Sequence, residues 1–232
     1  MRNLLIIINT ILYRCWAFFV NRELSISNAK FLFTRIKSCA HNKITLSNGQ
    51  FCYNTITIVG ENNVIDLSTS ISKSKIKVFG RNNKLIIRAK YINFTEFVVR
   101  GENCTIEIGE GTTIGSGMIV CMGNHTSVTI GNNVMLADNI DIWNSDTHPI
   151  FDSNDTLINP SSSITIGNNV WLGKGVRVLK GVAIGDGAVV GMGSMVTKNI
   201  APNTLNVGVP TRTIKSDVYW KRDFVSNYET TI

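Results

Sequence analysis

Proline and histidine are scarce. The 232 residues hold four prolines and three histidines, His41, His125 and His148. Few prolines beside nineteen glycines suit a turn-rich β protein. The five cysteines (Cys15, Cys39, Cys52, Cys104, Cys121) are odd in number and widely spaced, with no C-x-x-C. That argues against a disulfide framework or a zinc site and for reduced thiols in a cytosolic protein. No metal site is visible. The apolar start, MRNLLIIINTILYRCWAFFV, is broken by Asn9, Thr10 and Arg14. It falls short of about eighteen unbroken apolar residues, which argues against a membrane span. No small-residue cleavage site follows it, which argues against a secretory signal. No basic run with interleaved aromatics occurs, so nucleic acid is not an expected partner. The formal charge of +7 then reads as solvated surface, an anionic ligand or an anionic membrane surface.

What is present is a repeat. Ile166, Leu172, Val178, Ile184, Val190 and Val196 fall at every sixth place, and glycine follows four of them. Six matches neither a helix nor an alternating hairpin sheet. It predicts a parallel β-helix whose short strands each put one aliphatic side chain into a prism-shaped core. Gly, Asn and Asp take the corners, where positive φ is often needed.

Taken in order, residues 1–24 predict an apolar helix. It packs on the β-helix or on a neighbouring subunit, or it attaches to a membrane surface through Trp16, Phe18 and Phe19 beside Arg14 and Arg22. Residues 25–107 read as irregular coils of the same β-helix, with turns at Gly60-Glu61-Asn62-Asn63, Gly80-Arg81-Asn82-Asn83 and Gly101-Glu102-Asn103; a separate β domain is the alternative. The phase tightens over 108–201, slips near 123–127, and fails over 144–163. That stretch, NSDTHPIFDSNDTLINPSSS, reads as a loop projecting from one corner. Residues 202–232 form a tail whose YWKRDF segment suits a cap on the open end.

Three motifs carry a resemblance: Asp146-Thr147-His148-Pro149, Ile166-Gly167-Asn168-Asn169-Val170-Trp171-Leu172-Gly173, and Gly191-Met192-Gly193-Ser194-Met195-Val196-Thr197-Lys198, continuing into Gly208-Val209-Pro210-Thr211-Arg212. Over roughly 108–216 the chain resembles the hexapeptide-repeat acyltransferases. The nearest branches are the galactoside and maltose O-acetyltransferases and the bacterial capsule and O-antigen O-acetyltransferases. The resemblance implies a left-handed parallel β-helix, a homotrimer with sites between subunits, and acetyl-coenzyme A as acyl donor. The long irregular front favours the polysaccharide-modifying branch.

Acyl transfer to a hydroxyl needs a base, an oxyanion donor and a held thioester. His148 is the expected base: a neutral imidazole accepts a proton near neutral pH, and the resemblance puts the catalytic histidine in this THP tripeptide. Asp146, two residues away on an extended backbone, shares its face and orients it, or else is a turn residue. The resemblance sets Trp171 beside the acyl group and pantetheine arm, with plain intersubunit packing as the alternative. It assigns the oxyanion donor to the amides of Gly173 and Lys174, and lines the coenzyme groove with Met192, Thr197 and Lys198. Met192 is larger than the residue usual there. Lys198, Arg212 and Lys215 are expected at the coenzyme phosphates. Asn139, Asp141 and His125 are acceptor candidates, with turn chemistry as the competing reading, and His41 is structural.

The expected activity is transfer of acetyl to a sugar hydroxyl of a bacterial polysaccharide or its precursor. It would take place in the cytoplasm, in part on the inner face of the membrane. An N-acetyltransferase of a nucleotide-linked amino sugar, a serine or antibiotic acetyltransferase, and a non-catalytic binding β-helix are the alternatives.

Overall fold

The computed structural model describes residues 4–10, 13–19, 23–39 and 41–223, with side chains described from residue 23 onward. The described residues form a parallel β-solenoid of about eight turns, with no helix among them. Each coil folds around three faces. The first face stacks Thr34–Ser38, Thr55–Val59, Lys75–Arg81, Thr95–Glu102, Gly117–Asn124, Ile140–Trp143, Arg177–Val178 and Met195–Val196, all parallel. The second carries the first half of Lys43–Cys52, then Val64–Ser68, Lys84–Ile87, Thr105–Ile108, Ser127–Ile130, Ile164–Ile166 and Ala183–Ile184. The third carries the second half of Lys43–Cys52, then Ser70–Ser72, Tyr91–Asn93, Thr113–Ile114, Met135–Leu136, Trp171–Leu172, Val189–Val190 and Leu205–Gly208. The first corner follows the first face, the second corner the second, and the third corner closes the coil.

Register turns the repeat into a core. Ile36, Ile56, Ile76, Phe97, Ile119, Ile142, Val178 and Val196 stand over one another inside the first face, each buried. Burying such a side chain contributes about 1.5–3 kcal/mol. Coils of 20 to 23 residues make up the front, and coils of 18 residues the end. Three hexapeptides fill an 18-residue coil, so the six-residue phase is plain from Ile164 and blurred before it.

The extra residues of the front coils build the corners. In the first corner Asn63 is fully buried. Its Oδ1 accepts from the Asn83 amide, and its Nδ2 donates to Asn42 Oδ1 and to the Gly80 carbonyl. Asn83 repeats the pattern, donating to the Gly101 carbonyl and accepting from the Cys104 amide. Gly60 takes φ +112°, and a Cβ there would lie 1.9 Å from the Gly80 carbonyl oxygen. The Gly-x-Asn-Asn turns thus pass the coil close under its neighbour while the second Asn ties the two together.

The expected N-terminal helix is corrected. Leu4–Thr10 and Tyr13–Phe19 are antiparallel strands, and the second runs parallel to Thr34–Ser38 at the end of the first face. The β-branched run Ile6-Ile7-Ile8 favours an extended backbone, and the end of the first face offers a ladder to pair with. No described helix is long and apolar enough to cross a membrane, and the interfacial helix loses its basis. The side chains of Trp16, Phe18 and Phe19 lie outside the described residues. The tail also differs from a cap. Leu205–Gly208 and Thr211–Lys215 form an antiparallel pair, and residues 218–222 then run back along the second corner. Phe224 lies outside the described residues.

Candidate active site

The loop 144–163 leaves the first corner, and its stem is closed. The Asn144 side chain is buried, accepting from the Met122 amide (2.7 Å) and donating to the Met122 carbonyl (3.1 Å). The Ser162 amide donates to the Asn144 carbonyl. Farther out, Phe151 and Leu157 bridge antiparallel, and Asp152 accepts from the amides of Thr156 and Asn154. Those amides hold its carboxyl below the usual range.

His148 sits on the inner part of this loop, exposed, and its imidazole makes no hydrogen bond to any described residue. Its backbone is fixed. The amide donates to the Asp146 carbonyl (2.8 Å), and the His148 carbonyl accepts from Asn159 Nδ2 (2.9 Å). The Asp146 carboxylate turns to Lys180 and Asn159 and forms an ion pair with Lys180. Lys180 chiefly, then Asn159, pulls the Asp146 carboxyl below its ordinary range. Lys180 also donates to the Asn159 carbonyl (3.0 Å). Asp146 therefore anchors the loop that carries His148 and does not bond its ring. Sequence reasoning missed Lys180 and Asn159: they lie 34 and 13 residues from Asp146, with no local signal linking them.

Trp171 lies on the third face, about one-third exposed, in register with Met135 and Val189. Trp220 from the returning tail packs on it, ring centroids 5.9 Å apart. The Trp220 indole N–H donates to the Asn169 carbonyl. Arg222 locks the tail by donating to Thr113 Oγ1 (2.9 Å) and the Val134 carbonyl (2.9 Å), with its guanidinium over Trp220. Between tail and second corner lies a cavity of about 470 Å³, bordered by Asn133, Asp186, Asn203 and Tyr219. The YWKRDF composition was the only hint of this wall.

Gly173, Lys174 and Met192 cluster at the third corner beside Trp171. A Cβ on Gly173 would meet the Met192 amide nitrogen at 2.8 Å, and Met192 is three-quarters exposed. The Gly173 amide is spent on the Val190 carbonyl (2.8 Å), while the Lys174 amide makes no bond to any described residue. Asn139 stands at the same corner with φ 58°. Asp141 lies next to it on the first face and pairs with Arg177 at 3.8 Å. Both line a polar cavity of about 530 Å³ with Phe94 and Arg177.

Thr197 and Lys198 lie at the first corner, on the edge that carries the His148 loop, whereas Arg212 and Lys215 lie on the strand that closes the third face. His125 takes the left-handed first-corner position, φ 56°, that Asn62, Asn82 and Asn103 take in earlier coils. His41, φ 60°, takes it in the coil before those. The expected residues therefore form two half-sites. One, with His148, Asp146, Thr197 and Lys198, is on the first-corner edge. The other has Trp171 on the third face, Gly173, Lys174, Met192 and Asn139 at the third corner, and Asp141 just past that corner on the first face.

The bacterial transferase hexapeptide family (six repeats) matches residues 163–198. A polysialic acid O-acetyltransferase of Escherichia coli O1:K1 is 36% identical over 126 residues, 54% of this chain and 41% of that protein. The chain spans between about a quarter and two fifths of the length of the curated relatives it matches. Among solved structures, the polySia-specific acetyltransferase NeuO superposes with a TM-score of 0.68 at 29% identity, covering 87% of this chain and 88% of that one. The polysialic acid O-acetyltransferase OatWY gives 0.54 at 27%, covering 88% and 94%. Repeat, coil stacking and likeness agree: residues 163–198 carry the hexapeptide repeat, the described coils stack as a parallel β-helix, and the proteins this chain is similar to include O-acetyltransferases.

Proposed function

We propose that this chain transfers an acetyl group from acetyl-coenzyme A to a hydroxyl of an acidic bacterial polysaccharide, at sites closed between copies of the chain. The two half-sites carry this reading. His148 stands unbonded on a clamped loop at one edge, and Trp171, with a spare amide at Lys174, stands at another. Parallel prisms packed as a closed trimer would set one copy's first corner against the next copy's third. His148 takes the proton of the acceptor hydroxyl as its oxygen attacks the thioester carbon. The Lys174 amide, rather than that of Gly173, faces the oxyanion. Collapse of the intermediate breaks the carbon–sulfur bond, and the imidazolium returns its proton to the departing thiolate. Trp171 and Trp220 wall the pantetheine arm, with Met192 beside it. Thr197, Lys198, Arg212 and Lys215 meet the rest of the coenzyme in this reading, the cations at its phosphates. The relatives' polysialic acid supports an acidic acceptor, and the free Cys39, Cys52, Cys104 and Cys121 support the cytoplasm.

The test is release of free thiol from acetyl-coenzyme A with polysialic acid, other capsular polysaccharides, serine and aminoglycosides as acceptors. Release with an acidic polysaccharide is expected, falling about 10²–10⁴-fold in His148→Ala. Undiminished release in the variant overturns the base, and release only with serine or an aminoglycoside overturns the acceptor class.

A further inference from the structure

The third corner of the front coils is built unlike any other edge. Its left-handed position is filled in successive coils by Phe33, Tyr53, Lys73 and Phe94, with φ of 49°, 56°, 49° and 44°. Bulky side chains are strained there. In later coils the same corner uses Asn139, Gly175 and Gly193, which take this conformation cheaply. The aromatic residues do not recover that cost by burial: Phe33, Tyr53 and Phe94 are 57%, 53% and 58% exposed. They are ordered against one another. Phe33 stacks on Tyr53 at 5.3 Å, and Lys73 Nζ sits 4.9 Å over the Phe94 ring. With coils about 4.8 Å apart, four rungs make a straight track of roughly 15 Å.

Charge is segregated to the same region. Residues 24–95 hold eleven Lys and Arg against two carboxylates, Glu61 and Asp66. Neither carboxylate is on this edge: Glu61 is at the first corner, and Asp66 is on the second face, tied to Arg88. Arg35 and Lys75 stand on the first face two residues beyond Phe33 and Lys73; Glu96, two beyond Phe94 and in register with Lys75, is tied to Lys77 at 2.6 Å. The track also leads somewhere. Phe94, its last rung, is a wall of the cavity that holds Asn139, Asp141 and Arg177.

We propose that this edge is a docking track for a carboxylate-bearing glycan chain, which feeds one residue of the polymer into the Asn139–Asp141 cavity while its neighbours lie on the rungs. An aromatic face is electronegative and receives the C–H face of a sugar ring, and Lys73, Arg35 and Lys75 meet the carboxylates. The proposal rests on the acceptor class inferred above.

The test measures binding without any acyl donor. Long-chain polysialic acid, its trimer, neutral dextran and single-stranded DNA are compared on the wild-type chain, on Phe33→Ser/Tyr53→Ser and on Lys73→Glu/Lys75→Glu. The wild type is expected to prefer the long chain to the trimer by about tenfold or more. That ratio should fall towards one in the aromatic variant, and long-chain binding should weaken and lose its salt dependence in the charge variant. A ratio kept in both variants overturns the track. So does wild-type binding of DNA or dextran as tight as that of the long chain, or no binding of the long chain at all. Sedimentation of the aromatic variant as a dissociated chain overturns it too, since the edge is then an interface between copies. Chain-length-dependent binding without thiol release would sink only the enzymatic reading.

Discussion

Asn63 bonds in three directions within the first corner. In Asn63→Ala the Asn83 amide loses its acceptor and the Gly80 carbonyl its side-chain donor. Each buried orphan costs about 1–3 kcal/mol, so the urea midpoint should drop with an unchanged slope. Cys104 sits where the next coil would continue the ladder of Asn42, Asn63 and Asn83 with a fourth Asn. Its Sγ lies 2.9 Å from the Gly123 carbonyl, as Asn83 Nδ2 lies 3.0 Å from that of Gly101. Cys104→Asn should therefore fold and match or exceed the wild type in the same urea titration. A large loss would show that the thiol's packing against Cys121 and Thr126, and not the ladder, sets this coil. At the same scale His125 takes the corner conformation that Asn62, Asn82 and Asn103 take above it. A turn role suffices for it, and His125→Asn should leave activity within about twofold.

Beyond its Asn144–Ser162 stem, the loop 144–163 is held to the solenoid by a clamp. Asp146 is ionised into an ion pair with Lys180, which depresses its folded-state pKa below the ordinary value of 3.8. A depressed carboxyl contributes fully above its unfolded pKa, and the contribution is lost as pH falls through the lower folded value. The clamp is thus intact at neutral pH and opens only in acid. Both side chains are part exposed, so the effect is local rather than global. Lys180→Met should speed proteolytic cleavage within 150–158 at pH 7 to the rate the wild type shows only in acid, with the urea midpoint little changed. Equal cleavage would mean that the Asn144–Ser162 stem alone holds the loop. The returning tail is the other held element. Arg222→Ala frees Trp220, so Trp emission should shift to the red and the KM for acetyl-coenzyme A should rise several-fold. The projecting loop was legible because the aliphatic phase stops at Ile142 and resumes at Ile164. Its clamp was not, because Asp146 and Lys180 meet only once the coils stack. The N-terminal strands were misread for a related reason. The apolar run of five from Leu4 to Ile8 fits helix or strand alike, and the pairing edge at Thr34–Ser38 that decides for strand is not local to it.

Across the whole molecule the two half-sites stand apart. The first-corner edge bearing His148 and the third face bearing Trp171 lie across one prism, and a rigid solenoid with three hydrogen-bonded faces has no hinge to bring them together. If both act in one reaction, they come from different copies, and two dead variants should repair each other. His148→Ala and Trp171→Ala, each nearly inactive alone, are co-expressed with different tags and purified through both. In a mixed ring, a site works when its histidine edge comes from the Trp171→Ala chain and its tryptophan face from the His148→Ala chain. In a ring of three with both chains present, one interface in three has that arrangement, so activity per site should return to about a third of the wild type. Activity no higher than the single variants would mean that each site is built from one chain alone. The loop would then have to swing round the prism, breaking the Asp146–Lys180 pair, and Lys180→Met would speed turnover.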